Sequence, residues 1–224
     1  MLLTMRTWQV PREHYAEFAR LSEDHFWPEF ERLDGRPLAL WVARVGMQER
    51  VMLMTCYASL EHWLSTRSWG PAAAKLKAIT DRREKLHGDT DLIALLPLSN
   101  RQPIENAPEA EPGWYVLETW RVAPQHLESF RSLTEDHWLP WAEADKRLRL
   151  VGCWRAYVGP ADQVQVLLRV TAMSDWDAKS FAGGTPRLAY TAENTTVLKV
   201  LAQRRAIAEP LSTVMLNPLT RRRP

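Results

Sequence analysis

Two histidines lie in a motif that the chain carries twice, Glu-Asp-His-x-x-Pro. His25 stands three residues before Pro28, and His137 stands three residues before Pro140. An imidazole can accept or donate a proton near neutral pH, and each histidine directly follows a carboxylate. The motif therefore predicts general acid–base catalysis. The alternative is a structural histidine that hydrogen-bonds to a loop carbonyl, and the sequence leaves both interpretations open.

Helix geometry narrows this picture. In a helix over 12–33, His14, Phe18, Leu21 and His25 follow one another at spacings that keep them on one face. The apolar face of a helix packs on the sheet, so we expect His25, and His137 in the second copy, to face the sheet. The neighbouring carboxylates then project elsewhere. Pro28 is expected to bend the helix, because proline cannot donate the backbone hydrogen bond.

The histidines do not form a metal site with each other. On a straight helix, eleven residues would separate His14 from His25 by roughly 16 Å, too far for shared coordination. The chain has no Cys-x-x-Cys or His-x-x-x-His pattern, and it has no nucleophile motif of the Gly-x-Ser-x-Gly type. A haem held by one axial histidine stays an alternative without other support. We therefore expect a cofactor-independent protein.

The elements that position the histidines come from an internal repeat. Residues 7–28 align without a gap on 119–140, and ten of the 22 positions are identical. Such a repeat indicates two copies of one structural unit. We place the first unit at 1–100, a polar, proline-rich linker at 101–112, and the second unit at 113–224. Each unit is large enough to bury a modest core.

Each unit reads as strand, helix, two-strand hairpin, split helix and strand, which is a ferredoxin-like βαββαβ arrangement. Predicted strands cover 2–10, 37–46, 50–58 and 91–98, and then 114–122, 149–159, 163–171 and 212–219. The third strand is apolar on both faces, because Val51 and Leu53 alternate with Met52 and Met54. Helices can cover only one face, so the two sheets should pack together. The expected fold is α+β: two ferredoxin-like units that form an eight-stranded antiparallel α/β barrel within one chain.

Aromatic side chains are the candidates for a binding pocket. Eleven tryptophans are many for this length, and six of them form repeated pairs. The residues predicted to bind substrate are Trp8, Trp41, Trp120, Trp154, Phe18 and Phe130. The alternative is that these rings only fill the core.

Charged and sulfur-containing residues give further expectations. Arg6 and Glu118 occupy equivalent positions with opposite charge, so they either pair across a pseudo-twofold axis or are each solvated or bonded locally. The charged run 82–85 and the basic pair 204–205 are predicted to be solvated helix faces. Cys56 and Cys153 are expected to be buried thiols rather than a disulfide.

Composition excludes several classes of function. A net charge of +2 gives no electrostatic reason to bind nucleic acid. No apolar run reaches the roughly 18 residues that a membrane span needs. The N-terminal apolar stretch is too short for a signal peptide, so we expect a cytoplasmic protein with a small-molecule partner. A homodimer stays open.

The ordered set of motifs resembles the NIPSNAP family of the dimeric α/β-barrel superfamily. The resemblance is carried by the segments 7–10, 23–28, 41–46 and 57–60 and by their copies, and it covers most of the chain. It implies the barrel inferred above, with pockets between the sheet and the helices of each unit. Leu53 and Thr55 depart from the family, which often has histidine or tryptophan on that strand.

The wider superfamily includes cofactor-free monooxygenases, isomerases, polyketide cyclases and haem-handling enzymes. The resemblance therefore implies an enzyme acting on a hydrophobic, aromatic or polyketide-like molecule, with His25 or His137 as acid or base. The alternative is a non-catalytic small-molecule-binding or scaffold protein.

Overall fold

The computed structural model describes residues 1–67, 69–99, 113–144, 148–172, 174, 176 and 192–219. The predicted linker, 101–112, lies outside the described residues.

The two units repeat the same order of elements. The strands of the first unit are β1 (Leu2–Gln9), β2 (Arg36–Val45), β3 (Arg50–Tyr57) and β4 (Thr90–Pro97), and its helices are α1 (Tyr15–Leu21), α2 (Trp27–Arg32), α3 (Leu60–Thr66) and α4 (Ala73–Glu84). The strands of the second unit are β5 (Trp114–Val122), β6 (Leu148–Val158), β7 (Gln163–Val170) and β8 (Ala208–Pro218), and its helices are α5 (Leu127–Ser132), α6 (Leu139–Glu143) and α7 (Ala192–Ile207). Short 3-10 turns precede α1, α4 and α5.

The eight strands close into one barrel in the order β1-β3-β2-β8-β5-β7-β6-β4. Every pairing is antiparallel, and two of them join the units: β2 pairs with β8, and β4 pairs with β6. The predicted α+β barrel within one chain is therefore confirmed. A closed barrel also leaves no sheet edge unpaired.

The alternation of side chains along each strand separates two cores. Met52 and Met54 point into the barrel, and Trp41 of the first unit meets Tyr115 of the second there, with ring centroids 5.7 Å apart. Val51 and Leu53 point outward and pack under the helices. The described side chains thus fill the barrel interior, and the space between the sheet and the helices is the place to look for a ligand site.

The repeated histidine motif forms a π-helical turn in both units, over Ser22–Phe26 and Leu133–Trp138. The Trp27 N–H bonds to the Ser22 carbonyl, five residues back, just before the proline. A π turn takes more residues than an α turn, so the inward-facing position moves one residue along the chain. Phe26 and Trp138 are consequently buried against the sheet.

The prediction that both histidines face the sheet is wrong for His137, which is exposed. His25 is half-buried. The physical reason is the π turn, since the predicted stripe assumed the α-helical period throughout.

Candidate functional site

A partly enclosed cavity of about 170 Å³ lies in the first unit, between the outer face of the sheet and the helices. The strands β1, β3 and β4 form its floor, and α2, α3, α4 and the turn after α3 cover it. Its walls are aromatic, basic and hydroxyl-bearing. The lining residues are Thr4, Arg6, Trp8, Phe30, Leu53, Thr55, Tyr57, Trp63, Thr66, Arg67, Trp69, Arg83 and Leu92.

Arg83 is the buried cation of this cavity. It comes from α4 and is only 9% exposed. Its guanidinium carbon lies 3.8 Å from the centre of the Phe26 ring, 5.4 Å from that of Trp8 and 5.5 Å from that of Phe18. Burial, with a smaller contribution from the charge of Arg6, lowers the pKa of Arg83 to about 9. Three aromatic rings therefore hold a cation that has lost most of its water.

Arg6 brings a second positive charge into the same space. It projects from β1 and lies 5.8 Å from the centre of the Trp8 ring. Burial lowers its pKa, and the charge of Arg67 adds to that effect. Across the part of the chain that the structure describes, no carboxylate lies within 4.0 Å of Arg6, Arg67 or Arg83. The described residues therefore give the cavity a positive charge without a counter-ion.

Hydroxyl groups line the floor of the cavity. Burial raises the pKa of Tyr57 to about 12, while hydrogen bonds with Thr66, Thr4 and Thr55 lower it in part. The phenol is therefore protonated at neutral pH and can donate a hydrogen bond. A floor of hydroxyl donors beneath two guanidinium groups is a favourable setting for negative charge.

Three aromatic rings also surround an arginine, Arg204, in the second unit. We call this arrangement an aromatic cage in both units, and the caged Arg204 already has a carboxylate partner. The guanidinium carbon of Arg204 lies 4.1 Å from the ring centre of Trp120, 4.9 Å from that of Phe130 and 5.3 Å from that of Trp138. Its Nη2 donates to Glu118 Oε2 at 2.9 Å. Trp120 Nε1 donates to the same oxygen at 3.0 Å.

The structure answers one open question about charge and contradicts one prediction. Arg6 and Glu118 do not pair, because Glu118 bonds to Arg204 within its own unit. Arg83 and Arg204 are not solvated helix residues, because both are buried on aromatic rings. Arg82 and Arg205, their neighbours, are exposed as expected.

The hydroxyl floor is also missing from the second unit. The counterparts of Thr4, Thr55 and Tyr57 are the fully buried Val116, Leu168 and Val170. A smaller cavity of about 110 Å³ remains there, lined by Glu118, Arg204 and their neighbours. The two units thus share a fold and a caged arginine, but they differ in charge balance and in the polarity of the sheet.

The structure separates the predicted binding residues into three groups. Trp8 lines the cavity of the first unit, and Trp120 lines that of the second. Phe18 and Phe130 lie beneath the caged arginines. Trp41 and Trp154 pack in the barrel interior and line neither of these two cavities.

The histidines lie outside this arrangement, since neither His25 nor His137 lines the described cavities. Within the described ranges, no group of three or more His, Cys, Asp or Glu side chains is arranged to hold a metal ion. Nor does any helix there combine the length and apolarity that crossing a membrane requires. Cys56 and Cys153 are free and buried, as predicted.

Arg83 is the candidate site residue that sequence reasoning missed, although the sequence carries two signals for it. Leu76, Ile79, Arg83 and Leu86 recur at helical spacing, which places the arginine on the buried stripe of α4. Arg83 and Arg204 are also related by the same offset as Pro97 and Pro218 in the last strands.

No protein-family model matches the chain, and no curated protein matches it. Among solved structures, a proposed monooxygenase from Lactobacillus acidophilus is 10% identical over 98% of this chain and 94% of its own, with a TM-score of 0.65. An anthrone oxidase-like protein is 12% identical over 99% of this chain and 92% of its own, with a TM-score of 0.57. A NIPSNAP domain protein from Burkholderia xenovorans is 21% identical over 46% of this chain and 99% of its own, with a TM-score of 0.41. The full-length matches show the shared barrel fold.

Proposed function

We propose that this protein is a small-molecule enzyme whose substrate site is the cavity of the first unit, while the second unit completes the barrel. One observation carries the proposal. Among the described residues, the guanidinium groups of the first cavity have no carboxylate partner, whereas in the second unit Glu118 already pairs with Arg204. An uncompensated buried charge costs several kcal/mol, so its retention is expected where it binds something.

The size of the cavity limits the substrate. An engineered apolar cavity of about 150 Å³ accommodates benzene. A volume of about 170 Å³ therefore fits one six-membered ring with a small substituent. The indole rings of Trp8, Trp63 and Trp69 offer flat surfaces on which such a ring can stack.

The chemistry favoured by the lining is stabilisation of negative charge. No His, Asp, Glu or Cys side chain lines the described cavity, so the wall itself offers no ordinary general base. Arg6, Arg83 and the Tyr57 hydroxyl would instead stabilise an anion that forms on the substrate, such as an enolate or phenolate. The full-length structural neighbours are named as a monooxygenase candidate and as anthrone oxidase-like, and these names fit a reaction on a small organic molecule.

A non-catalytic small-molecule-binding protein is the second candidate. The same lack of acid–base side chains on the described wall favours it. Turnover of a bound aromatic compound, followed by mass spectrometry, distinguishes the two functions. Binding with no chemical change across the whole panel would favour the binding protein.

The experiment that tests the site uses the second unit as a template. Thermal shift is measured with a panel of single-ring aromatic compounds on the wild type and on the variant Thr4→Val/Thr55→Leu/Tyr57→Val. These substitutions introduce the residues that the second unit packs at the same positions, so the variant should fold. The ligand-induced shifts should vanish in it, and they should persist in Ser212→Ala, which alters the second cavity. Shifts retained in the triple variant would refute the assignment of the site.

The acid–base roles of His25 and His137 stay predictions. Because neither residue lines the cavity, we expect His25→Ala and His137→Ala to keep the ligand-induced shift of the wild type. Loss of turnover with binding retained in one variant would assign proton transfer to that histidine. Loss of binding itself would contradict the location proposed here.

A further inference from the structure

The second unit shows which chemical group the aromatic cage accepts. There, one carboxylate oxygen of Glu118 receives hydrogen bonds from both Arg204 and Trp120. The Glu118 side chain is only 10% exposed and that of Arg204 only 2%. A carboxylate is therefore the natural partner of a caged arginine and its neighbouring indole in this fold.

The first unit has the same donors without the carboxylate. Arg83 and Trp8 correspond to Arg204 and Trp120, and Phe26 takes the place of Trp138. The position of Glu118 is taken by Arg6, which reverses the charge. Among the described residues, neither Arg83 nor Trp8 has a hydrogen-bond acceptor of its own.

The exchange of Glu118 for Arg6 does more than remove an acceptor. It adds a second guanidinium to the same cavity, and the charge of Arg6 lowers the pKa of Arg83. A single anion between the two guanidinium groups would neutralise this repulsion. Arginine forks bind carboxylates through paired N–H donors, which gives such an anion a defined orientation.

We propose that the cavity of the first unit binds a single-ring aromatic carboxylate, whose carboxylate occupies the place that the Glu118 carboxylate holds in the second unit. This inference rests on the proposed function, because it assumes that this cavity is the small-molecule site. The ring lies against the indoles of Trp63 and Trp69. Tyr57 lines the same cavity, and its hydroxyl would donate to a polar ring substituent.

Calorimetric titration of the full chain with benzoate, with benzamide and with inorganic phosphate tests the proposal. Benzamide has nearly the shape of benzoate and carries no charge, and phosphate carries charge without a ring. A charge-assisted hydrogen bond is worth about tenfold or more in affinity, so benzoate should bind at least about tenfold more tightly than either.

Three variants test where the carboxylate of the ligand binds. Arg6→Glu restores the arrangement of the second unit, so it should weaken benzoate binding at least about tenfold and raise the melting temperature of the unliganded protein. Arg83→Met should weaken binding to a similar degree. Arg82→Met is the matched control, since Arg82 is exposed and paired with Glu17 outside the cavity, and it should change affinity less than about twofold.

The outcomes separate this inference from the proposed function. Equal binding of benzoate and benzamide would show that the site binds organic molecules without recognising their charge. That result would refute the proposed carboxylate binding and leave the proposed function standing. If phosphate binds as tightly as benzoate, the site is a general anion site. That result would refute the proposed recognition of an aromatic ring. Arg6→Glu with unchanged benzoate affinity would overturn the placement beside Arg83. Absence of binding by every aromatic compound in the panel would overturn the proposed function as well.

Discussion

Replacing each caged arginine by methionine should destabilise the two units to very different extents. Methionine keeps an unbranched apolar side chain against the rings but removes the charge. In the second unit, Arg204→Met leaves Glu118 buried without a cation. Removing one partner of a buried pair costs about 3–5 kcal/mol. At roughly 2–4 °C per kcal/mol for a chain of this size, the melting temperature should fall by about 6–20 °C.

In the first unit, Arg83→Met removes a desolvated cation that has no carboxylate partner among the described residues. Arg83→Met loses cation–π contacts worth about 2 kcal/mol when desolvated, and it relieves a buried, unpaired charge that costs several kcal/mol. The free energy of unfolding should therefore fall by less than about 1 kcal/mol, or rise.

Urea unfolding followed by far-ultraviolet circular dichroism measures both variants without relying on the tryptophans beside the arginines. The double variant Glu118→Gln/Arg204→Met is the internal control. It removes both charges but keeps an acceptor for Trp120, so it should recover at least half of the loss seen in Arg204→Met. Equal destabilisation by Arg83→Met and Arg204→Met would refute the reasoning, because the arginines would then stabilise through ring packing rather than through pairing.

Two further predictions concern buried groups away from the cavity. A Cβ at Gly152 would lie 2.0 Å from the Trp154 ring, so Gly152→Ala should lower the free energy of unfolding by about 2 kcal/mol or more; Gly88→Ala, where the nearest atom is 3.8 Å away, is the control in the same denaturation assay. Burial raises the pKa of the Cys56 and Cys153 thiols to about 12. Labelling by a thiol reagent should therefore stay slow as the pH rises from 7 to 9 and become fast only in denaturant. Rapid labelling of the native protein would contradict the described burial.

The sequence by itself determined the barrel. The repeat gave two copies of one unit, and the alternation of Val51 and Leu53 with Met52 and Met54 required burial on both faces of the sheet. These are local periodicities, and they depend only on the geometry of a strand or a helix. The interior contact between Trp41 and Tyr115 follows once the two faces are packed together.

The tertiary structure alone decided where the site lies. The sequence pointed to His25 and His137, but the π turn moves Phe26 and Trp138 into the inward-facing position. The caged arginine of the second unit is paired by Glu118, which lies 86 residues earlier in the chain. No local pattern reveals whether a buried charge finds a partner at such a separation, because that depends on how distant elements pack. The absence of that partner beside Arg83 in the described structure is what supports the proposed site in the first unit.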